Sequence, residues 1–143
     1  MKRIQFIYLY LFLFICFTAF LLSSCKDEGY ATINIKGNVT NSQGEFIDSL
    51  KITIRNIKSN TSDAFRISSG STAFDRVYNL EKADDCSFSI LIEDIDGERN
   101  GGCFQEQTKT ITVTKDEYES RNDLAVVHPY AKKEVTFTLQ KKY

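Results

Sequence analysis

Four oxygen-bearing side chains lie within seven residues of one another in the segment EDIDGERNGG. They are Asp94, Asp96, Glu98 and Asn100, and glycines stand among them. Calcium takes about six to eight oxygen ligands from loops of this kind, in which glycine permits the tight turn. From Asp96 onward the residues follow the first half of a calcium-loop pattern, except that Glu98 replaces the expected Asp or Asn. The sequence therefore predicts a candidate Ca²⁺ site at these four residues.

The same composition also suits a plain connection between two strands, because tight turns require Asp, Asn and Gly. Gln107 stands where a calcium loop carries its closing bidentate carboxylate, and an amide cannot take that role. The turn is the simpler interpretation, and the calcium site is the one with a chemical consequence.

A second candidate for chemistry is Cys25, which ends the stretch LLSSC. It follows a start that carries Lys2 and Arg3 and a long apolar run. A charged start, an apolar run and small residues before a cleavage point are typical of an export signal, and a cysteine at that point resembles a bacterial lipobox. A retained transmembrane helix is the alternative, but the run is near the lower limit of about 17 residues for a span.

We therefore predict a lipoprotein signal peptide over residues 1–24, a lipidated tether over 25–30 and one domain over 31–143. Two or three acyl chains on Cys25 would anchor the protein firmly, since each buried methylene contributes about 0.8 kcal/mol. The charged triplet Lys26-Asp27-Glu28 resembles the signal that carries lipoproteins to the outer face of the outer membrane in some bacteria. We expect an outer-membrane lipoprotein that faces the cell exterior.

The two cysteines of the expected domain are Cys86 and Cys103. An exported protein favours a disulfide, but the segment SFSILIEDI between them is predicted to be one strand. At about 3.3 Å per residue it carries the chain roughly 30 Å away from Cys86. The residues that follow would have to return almost fully extended to bring the two within about 7 Å. Separate thiols are favoured, and a bridge stays possible.

The net charge and the motifs that the sequence lacks narrow the classes of function that it can have. Without Lys2 and Arg3, 16 of the 18 basic residues remain against 19 acidic ones, a formal net charge of −3. This balance gives no support for nucleic-acid binding. His128 is the sole histidine, and the sequence contains no serine nucleophile elbow, phosphate loop or His/Cys metal spacing. We therefore expect that the chain is not an enzyme and that it has no cofactor apart from the candidate calcium.

Strict alternation of apolar and polar residues, with β-branched and aromatic enrichment, predicts half-buried antiparallel strands. A helical turn is expected within 115–121, and VVHPY (126–130) is expected to be an extended loop, because proline restricts the residue before it. Six or seven short strands without a long helix predict an all-β fold, a single antiparallel β-sandwich. The predicted strands are 31–40, 50–57, 87–95, 108–114 and 134–140, with shorter ones at 76–80 and near 65–67.

The opening of the domain, GNVTNSQGEFIDSLKITI (37–54), resembles the carboxypeptidase-regulatory-like, transthyretin-like sandwich domains. Phe46 departs from that pattern, in which proline is usual. The resemblance implies a fold, because such modules have no chemistry of their own. The matching positions are Gly37, Val39, Gly44, Ile47, Leu50, Ile52 and Ile54.

Nearly the whole chain is similar to the lipoproteins of the radical-SAM/lipoprotein system, in which a small exported lipoprotein is encoded near a radical S-adenosylmethionine enzyme. The resemblance implies no catalytic activity for the lipoprotein. The segment that carries it best is ILIEDIDGERNGGCF (90–104), through Glu93, Asp94, Ile95, Asp96, Gly97, Asn100, Gly101, Gly102 and Phe104.

Two functional hypotheses follow. In the first, the chain is a non-catalytic surface lipoprotein that serves as a structural or binding module for a protein or glycan partner. In the second, it is the substrate or partner of a neighbouring radical-SAM modifying enzyme.

Overall fold

The computed structural model describes residues 30–67, 69–99, 102–123 and 126–142. The predicted signal peptide, the lipidation site Cys25 and the candidate ligand Asn100 lie outside the described residues. Within the described part of the chain, no helix is long and apolar enough to cross a membrane.

The fold is all-β and consists of two four-stranded sheets, as the alternation predicted. Sheet A has the strand order β4-β1-β8-β7, and sheet B has the order β3-β2-β5-β6. The strands are β1 (Ala31–Asn41), β2 (Leu50–Asn56), β3 (Thr61–Arg66), β4 (Ala73–Leu80), β5 (Cys86–Asp94), β6 (Gln107–Val113), β7 (Glu119–Asp123) and β8 (Val126–Leu139).

The core lies between the two sheets and is built from the inward positions of the alternating strands. Sheet A contributes Ile33 and Phe137, and sheet B contributes Ile52, Phe88 and Ile90, all at most 1% exposed. Because side chains alternate between the two faces of a strand, period-two patterning of this kind covers one face of each sheet with apolar side chains. Burial of the two faces against each other is the dominant stabilising term.

Two details of the predicted fold are wrong. The described residues form eight strands rather than six or seven, and the sandwich is not purely antiparallel, because β1 pairs with β8 in parallel. The parallel ladder runs from Thr32 opposite Tyr130 to Asn41 opposite Leu139. Alternation marks which face of a strand is buried but carries no information about the direction of its neighbour, so this pairing was not visible in the sequence.

The helical turn predicted within 115–121 is present as a 3-10 turn at Lys115–Glu117, and β7 begins at Glu119 in the same segment. One segment expected to be irregular lies in a strand. The predicted loop VVHPY belongs to β8. Pro129 is accepted there because the ladder with β1 begins one residue later, at Tyr130, so the missing N–H removes no bond from that ladder.

Gly37 is required by close packing between β1 and β4. The two residues Gly37 and Phe74 are directly paired, and a Cβ atom added to the glycine would lie 2.0 Å from the phenylalanine ring. The ring therefore occupies the space that any other residue would need at this inward position of β1.

Cys86 and Cys103 are free thiols. Cys86 begins β5, whereas Cys103 lies beyond its far end, next to Phe104, which bridges to Lys141. Cys86 is buried and Cys103 is half-buried. The strand itself separates the two sulfur atoms.

Candidate binding site

The predicted calcium loop follows β5, and the structure gives its first ligand a different task. One oxygen of Asp94 accepts the backbone N–H of Phe104 at 2.8 Å, and the other accepts that of Asp96 at 3.3 Å. The carboxylate thus ties the two ends of the loop together. Glu98 points to solvent, and Asp96 is half-buried.

Among the described residues, no group of three or more His, Cys, Asp or Glu side chains is arranged to hold a metal ion. Asn100 lies outside that set, and carbonyl oxygens also bind calcium. Calcium binding by Asp94, Asp96, Glu98 and Asn100 therefore stays a prediction.

A large cleft opens where the edge strands β3 and β4 face each other across the sandwich. We call it the edge cleft, and its volume is about 620 Å³. Its apolar part comes from the inner faces of β2 and β4, and its rim is charged. Six of its lining residues are Ile54, Asp63, Tyr78, Leu80, Asp84 and Cys86.

Polar contacts link β3 and β4 at the first end of the edge cleft, although the buried Nε atom of Arg76 has no hydrogen-bond partner among the described residues. The Tyr78 hydroxyl donates to the Asp63 carboxylate at 3.3 Å, and Arg76 lies 3.6 Å from the same carboxylate. Burial, followed by the nearby Asp63 charge, raises the pKa of Tyr78 above its ordinary value. Arg76 also stacks over the Phe65 ring at 3.8 Å. This network closes the seam between the two sheets.

The second end of the edge cleft holds the thiol of Cys86. The Tyr118 hydroxyl donates to the carbonyl oxygen of Asp84 at 3.1 Å, so the thiol donates to the tyrosine oxygen at 3.7 Å. Burial raises the pKa of the Cys86 thiol. Since the thiolate is the reactive form, this cysteine is a packing residue rather than a nucleophile.

Lys58 and Asp84 pair at 2.6 Å on the rim of the edge cleft. The hydrogen bond from Lys58 lowers the pKa of Asp84, and the same contact raises the pKa of the lysine. The charges of this rim are therefore also matched within the protein.

A second cleft lies on the outward face of sheet A, at the point where β1 begins. We call it the face cleft, and its volume is about 460 Å³. Val77 and Arg121 stand on its walls. The residues that form the rest of it are Tyr30, Thr32, Asn34, Asn79, His128 and Tyr130.

Three outward polar residues of the face cleft are buried, which is unusual for positions that alternate away from the core. Thr32 is 7% exposed, Asn34 9% and His128 6%. The Thr32 hydroxyl donates to the amide oxygen of Asn79 at 3.3 Å. The Oδ1 atom of Asn34 is shielded from solvent, and no donor in the described part of the chain reaches it. Buried acceptors are nearly always hydrogen-bonded, so this atom marks a place where a ligand donor fits.

Aromatic rings cover the buried polar residues. Tyr30 stacks on His128 with ring centroids 5.5 Å apart and an angle of 28° between the planes. On the other wall, the Arg121 guanidinium lies 4.5 Å over the Tyr130 ring. The stack holds the Tyr30 ring in place, although half of that residue remains exposed.

Sequence reasoning missed the face cleft. Period-two patterning of the predicted strand 31–40 places Thr32 and Asn34 on its polar face, opposite the core, and predicts a loop for the segment that contains His128. The one available signal was the aromatic and histidine content of HPY together with Tyr30, but their meeting depends on the parallel pairing of β1 with β8.

No family model matches the chain, and no curated protein matches it. Among solved structures, the fold is similar to that of 3-chlorocatechol 1,2-dioxygenase from Rhodococcus opacus 1CP, with a TM-score of 0.52 at 12% sequence identity. The match covers 82% of this chain and 63% of the dioxygenase chain, so the chain spans less than two thirds of that protein. The likeness shows a shared fold. The resemblance to radical-SAM-associated lipoproteins gains no support from these comparisons.

The expectation that the chain is not an enzyme is corrected by this likeness. It rested on the absence of linear motifs and on a fold that was taken to have no chemistry of its own. The same fold occurs in an enzyme, so neither argument excludes catalysis. At 12% identity no activity is assigned by the likeness itself.

Proposed function

We propose that this chain is a lipoprotein anchored by Cys25 in the bacterial outer membrane, facing the exterior, and that its sandwich binds a ligand or partner through the face cleft. The lipobox after an apolar leader supports the anchor. The transthyretin-like pattern of the first two strands supports a module of that sandwich type. The single observation that carries the binding role is the buried acceptor of Asn34, which no donor among the described residues reaches, within an aromatic-walled cleft.

The position of the face cleft fits an anchored protein. Tyr30 forms one of its walls and is also the last residue of the expected tether. Four residues lie between Cys25 and Tyr30, and the five Cα-to-Cα steps from one to the other span at most about 18 Å when fully extended. A ligand in the cleft would therefore lie close to the lipid surface.

The anchor is tested by labelling with palmitate in a diderm bacterium. The wild type is expected to incorporate the label and the Cys25→Ala variant to lose it. Cys16→Ala is a matched control, since this cysteine lies inside the predicted leader, and it should label like the wild type. Equal labelling of the wild type and Cys25→Ala would refute the anchor, and protection of the domain from protease added to intact cells would refute surface exposure.

The second candidate function is that of substrate for a radical-SAM enzyme. Cys103 favours it, because this free, half-buried thiol lies within the segment (90–104) that carries the resemblance to the radical-SAM-associated lipoproteins. The test is the intact mass of the protein made with and without the radical-SAM enzyme from its genomic neighbourhood. A mass that is the same in both preparations would remove this candidate.

A further inference from the structure

We propose that the face cleft binds a neutral saccharide, an inference that rests on the proposed function and names its ligand class. The cleft volume of about 460 Å³ lies in the range of ordinary ligand sites. Its walls combine amide and hydroxyl side chains, aromatic rings, one apolar side chain and the Arg121 guanidinium, which lies over the Tyr130 ring, and all of these residues belong to strands apart from Tyr30.

The hydrogen-bonding groups of the face cleft match a pair of neighbouring hydroxyls. Asn34 presents a buried acceptor that requires a donor. Asn79 uses its oxygen to accept the Thr32 hydroxyl, which leaves its amide N–H groups as donors for a ligand. Asn34 and Asn79 are diagonal neighbours across the β1–β4 ladder, a spacing of about 7–8 Å between backbones that side chains can span. Adjacent sugar hydroxyls donate and accept in the same way.

Exposed apolar surface next to these amides fits the C–H face of a sugar ring. Val77 is 57% exposed and Tyr30 is 50% exposed, and both line the cleft. Stacking on His128 fixes the tyrosine ring before any ligand arrives, so little side-chain freedom would be lost on binding.

A phosphate group fits this cleft less well. Its oxygens are acceptors at neutral pH, so it would place negative charge against the Asn34 carbonyl oxygen and leave that buried atom unsatisfied. A phosphate-bearing lipid headgroup is the competing occupant, and the experiment must distinguish it from a saccharide.

The test uses the full-length protein in a polyoxyethylene detergent, which carries neither sugar nor phosphate. An array of neutral oligosaccharides is screened, and the best binder is titrated by saturation-transfer NMR. We expect binding by the wild type, weakened at least about tenfold by Asn34→Val and by Tyr30→Ala. Thr53→Val, on the outward face of sheet B, is the matched control and should bind like the wild type.

Absence of binding to every oligosaccharide would overturn the saccharide inference. If sn-glycerol 3-phosphate, a soluble lipid headgroup, binds instead and is lost in the two cleft variants, the saccharide is wrong while the face cleft keeps its proposed role. Saccharide binding that survives both cleft variants would overturn the assignment of the ligand site and the proposed function together.

Discussion

The edge cleft is larger than the face cleft, yet the charged groups on its rim pair with one another, whereas the face cleft holds a buried acceptor that no donor among the described residues reaches. In the edge cleft, Tyr78 bonds to Asp63, and Lys58 pairs with Asp84. In the face cleft, the oxygen of Asn34 is buried without a donor from the described residues. Each unsatisfied buried group costs about 1–3 kcal/mol, which a bound ligand can offset. The proposed ligand site therefore rests on this acceptor and not on cleft size.

The largest expected effect is a difference in stability between a variant of the edge cleft and a variant of the face cleft. Tyr78→Ala should lower the free energy of unfolding by about 3 kcal/mol, because the ring packs against Phe88 and closes the seam between the sheets. Tyr30→Ala should change it by at most about 0.5 kcal/mol, since that residue is half exposed. Urea unfolding followed by circular dichroism measures both. Equal losses in the two variants would show that the face cleft is also structural.

A third region joins the comparison if the loop after β5 binds calcium. At ten times a dissociation constant of about 10⁻⁴–10⁻³ M, linkage predicts about 1.4 kcal/mol of stabilisation. Thermal melts in EDTA and in millimolar calcium measure it, and the melting temperature should rise with calcium. The double variant Asp96→Asn with Glu98→Gln is the control and should not respond. Identical melting temperatures for the wild type in both buffers would show that the loop is a turn that does not bind calcium.

Removal of the unmatched acceptor should leave the fold at least as stable. Asn34→Val eliminates the buried oxygen and places a β-branched residue in a central strand, so we expect a gain of about 1 kcal/mol in unfolding free energy. Thr53→Val on sheet B should stay within about 0.5 kcal/mol of the wild type. A loss of stability in Asn34→Val would mean that this oxygen already has a structural partner, and the contrast between the clefts would disappear.

The last expected effect is the pH dependence of the edge cleft. The pKa of Tyr78 is raised by burial, so the folded state favours the neutral phenol. Its contribution is fully present below the ordinary tyrosine pKa of about 10 and is lost as the pH rises through and above that value. Between pH 8 and pH 11 the wild type should lose more stability than Tyr78→Phe, measured by urea unfolding. Between pH 6 and pH 8 the difference in unfolding free energy between the wild type and Tyr78→Phe should be constant. If that difference stays constant up to pH 11, the loss of stability does not come from Tyr78.

The sequence predicted the two-sheet core but not the face cleft, for one physical reason. Alternation in β1, β2 and β5 reports which side chains face the core, and core burial is what selects those residues. The short strand β7, with the sequence ESRND, lies at an edge and has no apolar alternation. The face cleft depends on contacts between residues that are distant along the chain, such as Tyr30 with His128. Such contacts follow from strand order and direction, which local patterning does not encode.

The parallel pairing of β1 has a mechanical consequence for a protein held by its N-terminus. β1 continues directly from the expected tether and lies between β4 and β8, and both ladders run along it. Tension on the tether would act along the strand axis and shear two rows of backbone hydrogen bonds at once, instead of unzipping them one at a time. The strand that would receive the force is thus held on one side by β8, so a pull on the proposed anchor would be resisted by the whole of sheet A.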